Sequence, residues 1–244
     1  MDEITAWFNG IKEDFILNFI QGDRWKLLAN GLLATLKITF FAALLGIAIG
    51  IIIAAVRSSH DKNAAKLKGV GGFILKLFNG IAKVYLTVIR GTPTVVQLLI
   101  MYFIIFASSN DKLLIAILSF GINSGAYVAE IFRSGIMAVD EGQNEAGRSL
   151  GLNYFQTMIY IIVPQAFKTV LPALANEFIV LLKETSVAGY VGMMDLTRAG
   201  DMIRGVTFSA FMPLIAVAFI YLIMVLILTK LVSLLERRLR NSER

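Results

Sequence analysis

The chain has 244 residues, of which 57% are hydrophobic and 16% charged, and its net charge is +6. Soluble domains average about 45–50% apolar and about 25% charged residues, so this composition places the chain among integral membrane proteins. Cysteine is absent, which excludes disulfides, thiolate metal sites and cysteine nucleophiles, and the one histidine, His60, has no second imidazole with which to share a metal ion.

The first predicted element is an amphipathic helix within the segment 1–30. Its aromatic residues, among them Trp7, Phe15 and Trp25, interleave with carboxylates such as Glu13 and Asp14. Such helices lie in the plane of the membrane interface, where tryptophan is enriched. We expect this segment to lie on the outer surface, ahead of a membrane domain over 31–244. No cleaved signal peptide is expected, because the N-terminus has no cluster of basic residues.

Five membrane-spanning helices are predicted, because a hydrocarbon core of about 30 Å is crossed by about 20 apolar residues. In chain order they are Gly31–Val56, Tyr85–Ala107, Leu113–Met137, Ile159–Leu182 and Phe211–Leu235. All should be α-helices, since backbone polar groups in lipid must be satisfied internally. The segment Asp61–Val84, which mixes lysine with apolar residues, is predicted to be a helix on the inner surface. Gly46 and Gly50 are predicted to pack against a neighbouring helix.

Orientation follows from the basic residues, which accumulate in cytoplasmic loops. Two segments are rich in them: Arg57, Lys62, Lys66, Lys68, Lys76 and Lys83 follow the first span, and Arg237, Arg238, Arg240 and Arg244 follow the last. The N-terminus is therefore expected outside and the C-terminus in the cytoplasm, together with the loop 138–158. The same rule explains the net positive charge without a nucleic-acid partner.

The loop between the third and fourth spans is polar and carries Glu145-Ala146-Gly147, followed by Gly151. It is predicted to form a short helix presented to a soluble partner. Asp140 or Asn144 would cap the helix, and its small residues would allow another surface to approach closely. Gly151 would allow the chain to turn back toward the membrane.

This loop resembles the EAA motif of binding-protein-dependent ABC importer permeases. That motif reads Glu-Ala-Ala, three residues, Gly, nine residues, Ile, one residue and Leu-Pro, and here Gly151, Ile161 and Pro164 fall at the expected spacing. Gly147 and Val163 depart from it. In that family the segment is the coupling helix that docks on a cytoplasmic ATPase, which implies an ATPase-coupling role for Glu145, Ala146, Gly147 and Gly151.

Three further segments resemble permeases for polar amino acids, the branch that handles arginine, histidine and glutamine. They are Arg90-Gly91-Thr92-Pro93 with Gln97 and Tyr102, the run Ser124–Arg133, and Asn176-Glu177-Phe178 with Leu181-Leu182-Lys183 and Thr185-Ser186. Together they extend over roughly half of the chain, from Val84 to Ala199. The resemblance implies an all-α permease of the type I ABC importer fold in a bacterial inner membrane, surrounded by membrane lipid.

The resemblance also implies partners. A second permease subunit, either a copy or a paralogue, would complete the pathway over a dimer of cytoplasmic ATPases, and an external amino-acid-binding protein would deliver substrate. ATP and Mg would be bound by the ATPase, since this sequence contains no G-x-x-x-x-G-K-[ST] loop. The chain itself is expected to carry no catalytic site, metal or cofactor.

Candidate substrate-binding residues are polar positions inside the spans, because ionisable groups there are costly and point to function. Asn123, Tyr127 and Glu130 share one face of the third span, and Glu177, Leu181 and Glu184 share one face of the fourth. In the implied family these two spans line the pathway. The candidate substrate-binding set is Gln97, Asn123, Ser124, Tyr127, Glu177, Leu181 and Glu184.

Several of these candidates also have a purely structural interpretation: Asn123 and Ser124 as contacts between helices, Tyr127 as packing, and Glu184 as a solvated group beside Lys183. The two glutamates favour a cationic amino acid such as arginine, lysine or histidine. Glutamine or cystine is the alternative within the same family. A membrane scaffold that does not transport, or an ion-coupled carrier, would be alternatives from other classes.

Overall fold

The computed structural model describes residues 2–63 and 69–241, and all its elements are helical. Lys66, Lys68 and Arg244, which entered the orientation argument, lie outside the described residues. The helices are α1 (Asp2–Phe15), α2 (Trp25–Asn63), α3 (Gly69–Gly91), α4 (Thr94–Ile100), α5 (Lys112–Met137), α6 (Glu141–Ser149), α7 (Tyr154–Thr157), α8 (Val163–Glu184), α9 (Leu196–Thr207) and α10 (Phe211–Asn241). Short π or 3₁₀ segments join several of them: Ile16–Ile20, Gln21–Asp23, Met101–Ile105, Met158–Ile162 and Thr185–Val191.

Five helical stretches in the described residues are long and apolar enough to cross a membrane, which confirms the predicted number. They are Trp25–Asp61, Gly69–Gly91, Lys112–Met137, Tyr154–Val191 and Phe211–Leu239. The bounds of the third stretch agree closely with the third predicted span. The first, fourth and fifth stretches are longer than the corresponding predicted spans. Trp25 already belongs to α2, so the boundary expected after residue 30 falls inside that helix.

The predicted second span, Tyr85–Ala107, is wrong as one continuous helix. The chain is helical without interruption over α3, stops at Gly91, and resumes at Thr94 after Pro93. Proline lacks a backbone N–H and disfavours the helical conformation of the residue before it, so Thr92 cannot continue α3. The segment Asp61–Val84 does not form a separate helix, because most of it belongs to α3. Its predicted position on the inner surface stays a prediction.

The close packing of α2 against α5 forms the centre of the fold. A Cβ atom on Gly46 would lie 3.1 Å from Ser124 Cβ, and one on Gly50 would lie 2.7 Å from Val128 Cβ. Gly121 and Gly125 on α5 face α2 in the same way. This confirms the predicted packing role of the two α2 glycines, since small residues let membrane helices approach closely.

These contacts also fix the relative direction of the helices. Residue numbers rise together along the α2–α5 seam, so the two helices are parallel and the chain returns between them through α3 and α4. Helix α8 is antiparallel to α5, since Ser124 meets Glu177 while Gly135 meets Val170. Alternating directions are what successive membrane crossings require.

The N-terminal segment is fastened to α9. Phe19 and Leu28 pack in one cluster with Leu196 and Ile203, and Thr207 Oγ1 donates a hydrogen bond to Asn18 Oδ1 at 2.8 Å. Helix α1 leaves Trp7, together with other apolar side chains, exposed. The interfacial position predicted for α1 agrees with this exposure but stays a prediction.

The glycine seam leads to a stability prediction. Gly50→Ala should lower the free energy of unfolding by about 1–3 kcal/mol, because the new methyl group overlaps Val128 and the helices must separate. Gly10→Ala on α1 is the matched control, since its Cβ would meet nothing within 4 Å. Alanine there should be neutral or slightly stabilising. Thermal unfolding in detergent measures both, and equal midpoints for the two variants would contradict the seam.

Candidate functional site

A cavity of about 280 Å³ lies between α2, α5 and α8. Most of its lining is apolar. The lining residues are Ala43, Ile47, Ser124, Val128, Leu171, Leu174, Ala175, Glu177, Phe178 and Leu181. Ser124 and Glu177 are the two polar side chains among them. An apolar pocket with a few convergent polar groups is the usual form of a small-molecule site.

The two polar residues are bonded to each other. Ser124 Oγ donates a hydrogen bond to Glu177 Oε1 at 2.9 Å, so α5 orients a carboxylate of α8. Ser124 is buried and Glu177 half-buried. Within the described residues, Glu177 forms no ion pair with a lysine or arginine. The carboxylate therefore faces apolar walls with a hydroxyl group as its described hydrogen-bond partner.

Leu181 and Glu184 occupy different surroundings on the same helix. Leu181 is buried, lines the cavity, and packs in a core cluster with Ile38 and Phe120. It therefore forms a wall of the cavity that is shared with the core. Glu184 is half-exposed and is not part of the cavity lining, although it lies two helical turns from Glu177 on the same face.

Gln97 and Asn123 join three helices at the interruption between α3 and α4. Gln97 Nε2 donates hydrogen bonds to Ile89 O at 2.7 Å and to Thr92 O at 3.1 Å. Its Oε1 accepts a hydrogen bond from Asn123 Nδ2 at 2.9 Å. The glutamine thus satisfies carbonyl groups that the end of α3 leaves without helical partners. Neither residue lines the cavity.

Tyr127 faces α3. The guanidinium group of Arg90 lies 5.7 Å from the centre of the Tyr127 ring, and Arg90 Nη1 lies 3.8 Å from Glu130 Oε1. The predicted polar face of α5 therefore meets α3 and α4, while the adjacent Ser124 faces α8. The structure brings Ser124, Glu177 and Leu181 together at the cavity and places Gln97, Asn123, Tyr127 and Glu184 outside its lining.

Apart from Leu181, the apolar walls of this cavity were not among the predicted site residues. Leu171, Leu174, Phe178 and Leu181 recur at spacings of three and four residues along α8 and flank Glu177. That helical period around a single carboxylate is a signal from which the walls could have been predicted. Ala43 and Ile47 on α2 carry no comparable signal, because α2 is apolar on all sides.

The predicted coupling loop contains α6 and α7. Asp140 caps α6 by accepting a hydrogen bond from Gly142 N at 2.7 Å, which resolves the choice between Asp140 and Asn144. Glu145 and Ala146 are exposed. Gly151, with φ +81°, ends the segment in a left-handed conformation that favours glycine.

Gly147 faces the membrane domain. It is buried, and a Cβ there would lie 2.6 Å from Thr157 Cγ2 and 3.1 Å from Ile161 Cδ1. Gln165 Nε2 donates to Gln143 Oε1 at 3.0 Å, which adds a polar link from α8 to α6. One side of α6 therefore rests on the segment leading into α8, and the other side is open to a partner.

Asp195 is a buried carboxylate that was not among the predicted site residues. It caps α9, accepting hydrogen bonds from Thr197 N at 3.0 Å and Arg198 N at 3.2 Å. Burial raises the pKa of Asp195 above its ordinary value, although these hydrogen bonds oppose the rise. Aspartate directly before an amphipathic helix is a capping signal that the sequence contains. The next residue links α9 to α2, since Leu196 N donates a hydrogen bond to Thr35 Oγ1 at 3.1 Å.

The contact beneath α6 leads to a second prediction. Gly147→Val should displace α6 from Thr157 and Ile161, because no side chain fits there. Tryptic cleavage after the exposed Arg148 should then be at least about tenfold faster, since local opening controls proteolysis. Ala146→Val introduces the same side chain on the open face and should leave the cleavage rate unchanged. Equal rates in both variants would show that α6 does not depend on this contact.

The sequence and the fold match known transport proteins. A family model described as the binding-protein-dependent transport system inner membrane component matches residues 69–241. The arginine transport system permease protein ArtQ of Bacillus subtilis is 36% identical, over 88% of this chain and 93% of its own length. The glutamine transport system permease protein GlnP of Escherichia coli K12 is 38% identical, over 84% and 90% respectively.

Solved structures of transporters also resemble this chain in fold. An amino acid ABC transporter crystallised with histidines is 43% identical, with a TM-score of 0.78, and the match covers 90% of this chain and 98% of that one. A methionine ABC transporter, MetNI, in an inward-facing conformation has a TM-score of 0.74 at 19% identity, which supports the fold alone. The chain therefore belongs to the family of binding-protein-dependent transport system inner membrane components, as a multi-pass amino-acid ABC permease of the inner membrane.

Proposed function

We propose that this permease imports a cationic amino acid, such as arginine, lysine or histidine, by alternating access, and that Glu177 binds the cationic group. The observation that carries the proposal is the Glu177 carboxylate in the apolar cavity, bonded to Ser124 but to no cation of the described residues. A relative named for arginine transport and a similar structure crystallised with histidines support it.

The electrostatics of the cavity favour such a ligand. A carboxylate removed from water is costly unless a positive charge and hydrogen bonds compensate it. A guanidinium or ammonium group would supply that charge and form short, charge-assisted hydrogen bonds. The volume of about 280 Å³ lies just below the usual range of about 300–1,000 Å³ for small-ligand sites, which suits one amino acid.

The path from the ATPase to this cavity would run through α6. Glu145 and Ala146 would contact a cytoplasmic ATPase dimer that binds ATP and Mg, while Gly147 rests on Thr157 and Ile161. The chain continues from there into α8, which carries Glu177. Movement of α6 would therefore reorient the helix that holds the substrate. An external binding protein would deliver the amino acid, and a second permease subunit would complete the pathway.

Glutamine is the second candidate substrate, because the GlnP relative is similarly close in sequence. The Glu177 carboxylate and the Ser124 hydroxyl would then bind a neutral amide, which donates hydrogen bonds without compensating charge. The two candidates differ in how they depend on the charge of residue 177, and this difference provides the test.

The third prediction concerns this charge. Glu177→Gln should lower ATP-dependent uptake of labelled arginine by about 30-fold or more, since loss of one partner of a buried charge pair costs about 2–5 kcal/mol. Uptake is measured in proteoliposomes with the cognate ATPase and binding protein. Glu236→Gln, an equal change at an exposed position of α10, is the control. Glu184→Gln in the same series tests the second carboxylate.

The outcomes separate the substrates. Arginine uptake that is unchanged in Glu177→Gln contradicts cation recognition by this residue. The substrate is a neutral amide if the wild type and Glu177→Gln both import labelled glutamine and neither imports arginine. Uptake of any amino acid without ATP contradicts the ATP-driven mechanism.

The fourth prediction concerns the exposed face of α6. Glu145→Lys should abolish coupled uptake and the stimulation of ATPase activity by the binding protein, because it reverses a charge at the proposed docking surface. The fold should be unaffected, since the Glu145 side chain is exposed. Glu13→Lys, the same reversal in α1, should transport normally. Wild-type transport by Glu145→Lys would exclude α6 as the docking helix.

A further inference from the structure

A second cavity, of about 480 Å³, opens between α2, α3 and α5 and has a different character. We call it the cationic pocket, and it is lined by Arg57, Lys83, Leu86, Thr87, Arg90, Gly91 and Glu130. Three of these side chains are cations and one is a carboxylate, so the lining carries an excess of two positive charges. None of them lines the cavity around Glu177.

Much of this positive charge lacks a partner. Glu130 is paired with Arg90, whose guanidinium also lies over the Tyr127 ring. Arg57 Nη1 donates to Asn79 Oδ1 at 3.2 Å, but its buried Nε has no acceptor within the described residues. Lys83 is exposed and forms no ion pair among residues 2–63 and 69–241. An anion would satisfy the unpaired donors and the excess charge.

An apolar groove adjoins the cationic pocket on α3. It has a volume of about 700 Å³ and is lined by Lys76, Leu77, Gly80, Ile81, Val84, Tyr85, Val88 and Ile89. Lys83 and Thr87 line the pocket, and the next residues, Val84 and Val88, line the groove. Successive residues lie about 100° apart on a helix, so the two surfaces share an edge. A ligand that fills both has an anionic head beside an apolar tail.

We propose that the cationic pocket and the apolar groove together bind an anionic glycerophospholipid. The phosphate would accept hydrogen bonds from Arg57, Lys83 and the Thr87 hydroxyl group, and an acyl chain would lie along Val84 and Val88, the groove residues next to Lys83 and Thr87. Basic pockets between membrane helices bind anionic headgroups in this way. The bound lipid would tie α3 to α2 and α5. Inorganic phosphate offers the same head chemistry without the tail.

The fifth prediction tests this site by native mass spectrometry of the assembled, detergent-purified importer with added phosphatidylglycerol or phosphatidylcholine. We expect retention of phosphatidylglycerol over phosphatidylcholine. Lys83→Gln should weaken phosphatidylglycerol binding about fivefold, since one basic residue near a lipid headgroup contributes about that factor. Lys83→Arg should restore binding. Lys230→Gln, the same loss of charge at an exposed position of α10, is the matched control and should bind normally.

Several results would overturn the proposal. Equal retention of the two lipids, or equal weakening in Lys83→Gln and Lys230→Gln, would exclude a specific headgroup site. Displacement of phosphatidylglycerol by millimolar inorganic phosphate would assign the pocket to a free anion. If the permease monomer binds the lipid and the permease dimer does not, the groove is occupied by a second copy of this chain. Thermal unfolding midpoints of Lys83→Gln and wild type should be equal. Weaker lipid retention by the variant then reflects loss of binding and not loss of folding.

Discussion

The close approach of α2 and α5 is the constraint on which the remaining structure depends. Where glycine and serine line this seam, the two backbones come near enough that no larger side chain fits. Packing of this kind is the main source of helix association in lipid, where no hydrophobic force drives one apolar helix onto another. Because the seam is parallel, it also determines that the chain crosses back once between the two helices. Both cavities open at the edges of this pair.

Helix α5 distributes its polar residues between two neighbours. Ser124 is directed to α8, where it orients Glu177, and Asn123 is directed to α4, where it bonds Gln97. These two residues are adjacent in the chain and therefore lie about 100° apart around the helix. One helix thus organises the proposed substrate site on one side and the interrupted crossing on the other. The proposed substrate helix α8 in turn connects directly to the segment on which α6 rests.

Much of this architecture can be predicted from the sequence, because its signals are local. The number of spans follows from apolar length, the bounds of α5 from its flanking polar residues, and the cap of α6 from Asp140. The second span was predicted incorrectly as one helix, because apolar length alone does not reveal the break that Pro93 imposes between α3 and α4. Which residues from different helices meet in one cavity was harder to predict. The cavity walls on α2 come from a helix without polar periodicity, and nothing in a single sequence indicates which of its faces meets α8.

The interruption at Gly91–Pro93 bears on how substrate preference can be altered. The amide of Gln97 is committed to the backbone carbonyls of Ile89 and Thr92, and Asn123 is committed to Gln97. Substitutions at these two positions would remove the hydrogen bonds that join α3, α4 and α5. Ala43, Ile47, Leu174 and Phe178 contribute side chains of different size to the same cavity and make no hydrogen bonds through them. Directed evolution of a changed amino-acid preference should therefore begin at the walls.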